Sequence, residues 1–278
     1  MVFLIHQADN KPNNLDLNIQ TSKIISLIVI LILIISCKDD TKNNENWVQL
    51  FNGKNLDGWL VKINGYELND NYNNTFRVEN GSIKISYDEY ENFTDQFGHL
   101  FYKTPFTNYR LRLEYRFVGN QAPGGQSWAT KNSGIMIHSQ SPESMLVKQN
   151  FPLSLEFQLL GGFNKNEPRP SGNLCTPATH VMMDGKLITE HCITADCKTY
   201  YGEEWIKAEV VVINDSITHY IDGQVVISYS NPIIGGQFLD TTSKAIQAKN
   251  GQPLNGGYIS LQSESHPIEF KNIELLKL

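Results

Sequence analysis

Apolar and polar residues alternate along most of the chain from position 75 onward, and a hydrophobic period of two predicts β-strands. The segment YRLRLEYRFVG (109–119) shows the pattern most clearly, because its leucine and aromatic side chains share one face and its arginines and glutamate the other. Two further stretches, 75–86 and 217–229, carry the turn dipeptides Asn80-Gly81 and Asp222-Gly223, which predict β-hairpins. Other segments with strand-like patterns are 133–139, 153–162, 205–214, 257–264 and 268–278.

About ten strands of roughly five to eight residues, joined by turns, predict an all-β domain built as an antiparallel sandwich or jelly roll. Three long loops interrupt the strands, at 119–132, 161–173 and 231–257, and the third is predicted to hold a short helix near residues 243–248. Loops of this length in a compact domain are usually functional or disordered.

The first part of the chain has the pattern of an exported lipoprotein. An apolar run at 24–35, preceded by Lys23, has the length of a signal-peptide core and is shorter than the roughly 20 residues of a membrane-spanning helix. It ends in the lipobox IISC (34–37), which predicts a signal peptide over 1–36 and lipidation of Cys37. The alternatives are a short buried helix or an uncleaved membrane anchor. Several acyl chains would hold the protein in the cell envelope, on the periplasmic or the outer side of the outer membrane.

Residues 37–46 are polar and rich in asparagine, which predicts a flexible tether, and residues 47–278 are long enough for one large β domain. The net charge is −6, and the chain carries no long run of lysine or arginine. This composition argues against nucleic acid as a partner.

Three cysteines follow Cys37, at Cys175, Cys192 and Cys197. In the oxidising environment expected for an exported protein, two of them form a disulfide and one is left over, but the spacing does not decide which two. The sequence contains neither a CxxC pair nor an HExxH motif, so it does not predict a zinc site.

Five motifs, read in chain order, carry a family likeness. They are LFNGKNLDGW (50–59), NSGIMIH (132–138), LEFQLLGG (155–162), EEWIKAEVVV…ITHYIDGQVV (203–226) and GYISLQSESHPIEFKNIEL (257–275). Together they resemble the 3-keto-disaccharide hydrolase domain, over about residues 47–278. The resemblance implies a concanavalin-like jelly-roll sandwich, often lipid-anchored in Bacteroidetes, and KDD (38–40) resembles the acidic stretch after the lipidated cysteine in that group. A shared CTPATHV…EHC segment implies a Cys175–Cys192 disulfide and leaves Cys197 as the odd thiol.

The resemblance also implies cleavage of glycosides whose sugar ring is oxidised at C3. A ketone at C3 acidifies the C2–H bond, so a base can remove that proton while the C1 glycosidic oxygen leaves, and water then adds to the product. This chemistry needs a base near C2, a donor for the enolate oxygen and a proton source for the leaving group. It does not need the two carboxylates that flank the bond in an ordinary glycosidase.

The strand LEFQLLGG supplies the best candidate base. Its apolar residues share one face, which leaves Glu156 and Gln158 on the other, about 7 Å apart. Sandwich glucanases carry Glu-x-Asp-x-x-Glu on such a strand, whereas this chain has Glu-x-Gln-x-x-Gly, so a two-carboxylate mechanism on this strand is not favoured. We therefore assign Glu156 as the base and Gln158 to substrate binding.

Three further residues are predicted to join Glu156 on one concave surface if their strands are neighbours. These are Glu114, Arg116 and His138, with Arg116 or His138 stabilising the oxyanion. The alternatives are a Glu114–Arg116 ion pair on a solvated face and a plain surface histidine at 138. Further candidates for substrate binding are His180, Trp128, Tyr200 with Tyr201, Gln262 and His266, with Glu264 also near the rim.

Two further features each allow two interpretations. The two glycine turns before Trp59 predict a clasp that buries the indole against the sandwich, with direct sugar stacking by Trp59 as the alternative. A His and a Glu on one face are compatible with a divalent metal, although no spacing requires one.

Three functions compete: a lipid-anchored hydrolase or lyase of 3-keto-glycosides, a non-catalytic carbohydrate-binding module, and a structural surface lipoprotein. A lectin groove needs aromatic residues on its face, whereas the matching strand positions here are charged or amide residues. This difference favours catalysis.

Overall fold

Seventeen strands, numbered in chain order, form two antiparallel sheets in residues 46–278, the part of the chain that the computed structural model describes. The larger sheet contains, in spatial order, β11 (Lys186–Ile188), β10 (Thr179–Met183), β15 (Gln224–Ile234), β14 (Ser216–Ile221), β13 (Ile206–Ile213), β6 (Tyr109–Phe117), β17 (Ile268–Lys277), β4 (Ser82–Ile85) and β3 (Phe76–Glu79), with β1 (Val48–Gln49) also paired to β17. The smaller sheet contains β12 (Cys192–Ile193), β9 (Asn173–Cys175), β8 (Leu155–Leu160), β7 (Asn132–Ser139), β16 (Tyr258–Ser263), β5 (Gly98–Tyr102) and β2 (Trp59–Ile63). The predicted all-β, concanavalin-like jelly-roll sandwich is confirmed.

The hydrophobic core lies between the two sheets. Leu111 and Leu113 of β6 and Leu155, Phe157 and Leu159 of β8 are all buried in one continuous cluster. Each strand therefore presents its alternate residues to the side away from the core. On β8 that side carries Glu156 and Gln158, as the alternation predicts.

Both predicted hairpins are present, and their turns have the geometry that their residues favour. Asn80 and Gly81, between β3 and β4, have φ of 49° and 77°. Asp222 and Gly223, between β14 and β15, have φ of 48° and 78°. Two successive positive φ values are typical of a type I′ turn, whose twist matches that of the flanking strands.

The opening segment is a structural clasp. Asn52 Oδ1 accepts hydrogen bonds from the backbone N–H groups of Lys54 and Asn55, which fixes the first turn. The Trp59 indole is buried, donates from Nε1 to the Leu50 carbonyl at 3.0 Å and meets the Tyr102 ring edge-on at 5.3 Å. The packing interpretation is confirmed, and a buried indole cannot stack on a sugar.

A disulfide joins Cys175 of β9 to Cys192 of β12, which are direct partners across the two strands. Cys197 is a free, half-buried thiol. The pairing implied by the family likeness is therefore confirmed.

The last of the three long loops contains the short helix Lys244–Gln247, which confirms the helix predicted near 243–248. Within residues 46–278, none of the helices has the length and apolar character needed to cross a bilayer. The predicted signal peptide, the lipidated Cys37 and all but the end of the predicted tether fall outside the described residues.

Candidate active site

A cleft of about 260 Å³ opens on the outer face of the smaller sheet. Its floor is formed by β7, β8 and β9, and its rim by residues from the long loops and from the segment after β16. The lining residues are Trp128, Asn132, Phe151, Glu156, Gln158, Cys175, Pro177, His191, Cys192, Phe238 and Glu264. Ligand pockets usually measure about 300–1,000 Å³, so this cleft is slightly smaller than that range and suits a ligand about the size of one ring.

Two buried carboxyl groups, Glu156 and Glu264, dominate the electrostatics of the cleft. Burial raises the pKa of Glu156 to about 8. Burial also raises the pKa of Glu264 well above its usual range, the charge of Glu156 raises it further, and Arg169 opposes the shift. The pair therefore holds at least one proton near neutral pH, so that one carboxyl can act as a base and the other as an acid.

The cation near this pair is Arg169. Its Nη1 donates to the carbonyl oxygens of Thr130 at 2.6 Å and Gly161 at 2.7 Å, and its guanidinium lies 5.0 Å from the centre of the Phe163 ring. These contacts tie two of the long loops together and hold a positive charge within electrostatic reach of Glu264.

Several buried polar atoms of the cleft residues have no hydrogen-bond partner in the described part of the chain. Within residues 46–278, Glu156 Oε1, Glu264 Oε2 and Asn132 Oδ1 are buried and accept no hydrogen bond. The side chain of Gln262 on β16, opposite His99 of β5, has neither of its polar atoms satisfied. Buried polar groups are nearly always hydrogen-bonded in native proteins, so this set indicates a polar ligand or ordered water above the floor.

A glycine makes room for the Glu156 side chain. Gly134 lies on β7 beside Glu156, and a Cβ at this position would lie 2.6 Å from Glu156 Oε1 and 2.7 Å from its Cγ. Any other residue at 134 would therefore displace the carboxyl group.

Aromatic rings form the rim. Trp128 stacks on Phe97 with 5.9 Å between ring centres and keeps 47% of its surface exposed. Across the cleft, the Phe238 ring packs against Phe151 at 5.4 Å and His191 at 5.2 Å. Rings of this kind suit the C–H faces of a sugar, and the polar floor suits its hydroxyl groups.

Glu114 and Arg116 do not share this surface, and the expectation that they do is wrong. Both project from the outer face of β6, which belongs to the larger sheet. Arg116 pairs with Glu269 at 2.7 Å, and Glu114 pairs with Lys271 at 3.5 Å. Alternation correctly assigns these side chains to the face away from the core, but it carries no information about which sheet the strand joins.

The position predicted for His138 from the alternation of the strand is also wrong. Its φ of 50° interrupts the strand where the pairing of β7 with β16 shifts register, and its ring meets Tyr109 of the larger sheet edge-on at 6.5 Å. It is 1% exposed, and burial lowers its pKa to about 4. It is therefore neither a cleft residue nor a surface histidine.

Other predicted binding residues divide into two groups. Trp128 and Gln158 line the cleft, whereas Gln262 is buried on β16 and is not one of the lining residues. His180 lies on β10 of the larger sheet against Gly235 and Gly236, Tyr200 donates its hydroxyl to Asp222 at 2.7 Å, and His266 packs beside Phe117 at 5.7 Å. None of these last three lines the cleft. Tyr201 is likewise outside it, with its backbone carbonyl accepting a hydrogen bond from Lys131 at 3.1 Å.

The sequence interpretation missed Asn132, Phe151, His191 and Phe238. Asn132 could have been found, because it lies two residues before Gly134 on the same strand and so shares its face. His191 is adjacent to a paired cysteine, which is a weaker signal. Phe151 and Phe238 reach the cleft from loops, where the sequence has no regular period that shows which way a side chain points.

The potential metal ligands beside the cleft include two cysteines that form the disulfide. Within residues 46–278, the group of three potential ligand residues is Cys175, His191 and Cys192, whose ligand atoms lie within 4.8 Å of one another. Both sulfur atoms are bonded to each other, so neither is available as a thiolate ligand. His138 does not share a face with Glu156, because its ring lies in the interior beside Tyr109.

The profile of the 3-keto-alpha-glucoside-1,2-lyase-like domain matches residues 46–276. Among solved structures, a "putative glycosyl hydrolase" from Parabacteroides distasonis is 18% identical with a TM-score of 0.51, covering 86% of this chain and 97% of that one. Another "putative glycosyl hydrolase" from the same organism is 16% identical with a TM-score of 0.50, covering 84% and 100%. The carbohydrate-binding module CBM66 from Bacillus subtilis is 10% identical with a TM-score of 0.45, covering 79% and 96%. At such identities the first two establish a shared fold alone. No curated protein matches the chain.

Proposed function

Because the chain belongs to the 3-keto-alpha-glucoside-1,2-lyase-like family, we propose that it cleaves 3-keto-glycosides by elimination across C1 and C2. The observation that carries the proposal is the buried Glu156–Glu264 pair at the floor of a cleft that suits one ring. A group with a pKa near the working pH is well matched to proton transfer, and burial brings that of Glu156 to about 8.

In this proposal the ionised Glu156 removes the C2 proton, and the C2–H electrons form the C1=C2 double bond as the C1–O bond breaks. The protonated Glu264 gives its proton to the departing oxygen. The products are a 1,2-unsaturated 3-keto sugar and the free alcohol, so atoms and charge balance. The amides of Gln158 and Asn132, which line the cleft, are the donors for the oxygen at C3, where negative charge develops. Addition of water to the unsaturated product would complete a net hydrolysis.

The test is to incubate the purified protein with a 3-keto-disaccharide, measuring the second sugar released and the ultraviolet absorbance of the conjugated ketone. We expect release by the wild type, a primary isotope effect with deuterium at C2, and no turnover by Glu156→Gln. The matched control is Glu114→Gln, whose carboxyl lies on the other sheet and whose loss should leave turnover unchanged. Equal turnover by both variants would remove Glu156 from the reaction.

A carbohydrate-binding module is the second candidate, and one observation favours it. A sugar-binding groove needs aromatic residues. The strand positions on the floor of the cleft are polar, as predicted, but Trp128, Phe151 and Phe238 place aromatic rings around it. Binding of unoxidised glycans without cleavage of any 3-keto-glycoside would support this function over the first.

We also propose that the protein is held in the cell envelope by lipid on Cys37. The support is the lipobox, and the test is metabolic labelling with a fatty acid followed by membrane fractionation. Cys37→Ser should abolish both the label and the membrane association, whereas Cys197→Ser should change neither. Retention of the label in the Cys37 variant would exclude this site.

A further inference from the structure

A second depression, here called the groove, lies beside the cleft. It has a volume of about 560 Å³, and its lining includes Asn64, Tyr66, Gln96, Lys148, Asn150 and Phe238. Phe238 lines both depressions, and Asn150 of the groove is followed directly by Phe151 of the cleft. The rings of Phe238 and Phe151, 5.4 Å apart, therefore form the ridge between them.

The chemistry of the groove suits binding without catalysis. Its lining offers amide, hydroxyl and ammonium groups together with the Tyr66 ring, and it contains no carboxyl side chain. Asn64 donates from Nδ2 to the Asp95 carbonyl at 2.8 Å, whereas its Oδ1 is buried and unpartnered among the described residues. A sugar hydroxyl group is the kind of donor that this oxygen lacks.

Phe238 is held in a conformation that aromatic residues seldom adopt. Its φ of 69° lies in the left-handed region, and the same turn continues through Leu239 and Thr241. Residues in such conformations persist where the surrounding structure holds them, and they concentrate at binding sites. Here the backbone conformation sets the ring on the boundary between the cleft and the groove.

We infer that the groove is a second subsite, which binds the sugar released when the glycosidic bond breaks. The inference rests on the proposed function, because it places the oxidised ring over Glu156. The cleft suits one ring, so a second sugar attached at C1 must lie outside it, and the groove is the polar depression across the ridge. A substrate that fills both the cleft and the groove should therefore react faster than one that fills the cleft alone.

The experiment compares two substrates, a 3-keto-disaccharide and methyl 3-keto-glucoside, which occupies the cleft alone. The variants are Lys148→Ala and Asn150→Ala, and the matched control is Lys249→Ala, an exposed lysine that lines neither depression. We expect each groove variant to lower kcat/KM for the disaccharide about tenfold, the effect of one or two lost hydrogen bonds. We expect all three variants to cleave the methyl glycoside like the wild type.

Equal losses on both substrates, or no loss on either, would overturn the subsite while leaving the proposed function intact. If the wild type cleaves neither substrate, the proposed function fails, and the groove is then judged by calorimetric binding of the unoxidised disaccharide. Weaker binding by Lys148→Ala and Asn150→Ala than by Lys249→Ala would keep the groove as a sugar site. Unchanged binding would reject it.

Discussion

Gly134→Ala tests the geometry of the cleft more sharply than removal of a carboxyl group. The new Cβ would lie 2.6 Å from Glu156 Oε1, and ordinary contacts begin near 3.4 Å, so the carboxyl group must move by roughly 0.8 Å. The backbone at Gly134 does not have positive φ, so alanine fits the strand itself. The substitution therefore moves the proposed base without removing it.

A misplacement of about 1 Å costs on the order of 100-fold in rate, so we expect kcat on a 3-keto-disaccharide to fall about 100-fold. Overpacking costs about 1–3 kcal/mol of stability, which urea unfolding measures separately from activity. The assay is steady-state kinetics under conditions where the variant is fully folded. KM should change little, because the substrate-facing amides and rings remain in place.

The matched control is Gly202→Ala, whose Cβ also meets a glutamate carboxylate, that of Glu204, but on an exposed turn outside the cleft. It should retain the wild-type kcat. The coupling is tested in a Glu156→Ala background, which lacks the three atoms nearest the new Cβ, so that Gly134→Ala should lower the free energy of unfolding by less than it does in the wild type. A folded Gly134→Ala enzyme with wild-type kcat, or the same loss of stability in both backgrounds, would refute the proposed position of the base.

Three further predictions follow from burial and covalent structure. The rate at low substrate concentration should rise about tenfold per pH unit up to about pH 8, because Glu156 must ionise, and a flat profile from pH 6 to 8 would contradict this. Burial raises the pKa of Glu156 from 4.5 to about 8 on folding, so its contribution to stability is fully present below about pH 4.5 and is lost as the pH rises to 8. The free energy of unfolding in urea should therefore fall less between about pH 5 and 8 in Glu156→Gln than in the wild type, and an equal fall in both would argue against burial of the carboxyl group. Cys175→Ser opens a disulfide that spans 17 positions and should lower the free energy of unfolding by about 3 kcal/mol, whereas Cys197→Ser, which breaks no bond, should be much milder.

The turns of the hairpins and the faces of the strands can be predicted from the sequence, because each depends only on residues close together in the chain. Asn80-Gly81 and Asp222-Gly223 define their turns through their own backbone preferences. The face of Glu156 follows from the apolar residues on either side of it, because successive side chains on a strand point to opposite faces. These predictions need no knowledge of what the strand pairs with.

Which residues come together in the site depends instead on the pairing of strands that are far apart in the chain. Alternation gives the face of Arg116 but not its sheet, and β6 joins the larger sheet through β13 and β17. The prediction for His138 is wrong for a different reason. Its positive φ interrupts the alternation of the strand, and the sequence gives no sign of this because the residue is a histidine and not a glycine. The cation that acts on Glu264 is Arg169, which lies on a long loop that has no periodic pattern.

The position of the acid pair on the sandwich explains how such a costly arrangement is held in place. Glu156 lies between Leu155 and Phe157, both fully buried on the core side, so the strand that carries the carboxyl group is fixed by its neighbours in the chain. Glu264 follows β16 directly, and β16 pairs with β7, which in turn pairs with β8. Three adjacent strands therefore fix both carboxyl groups, while the loops supply only rings and the Arg169 charge. Because regular strands position side chains more rigidly than loops do, differences between relatives in substrate preference should arise at the loop residues, with the acid pair held in common.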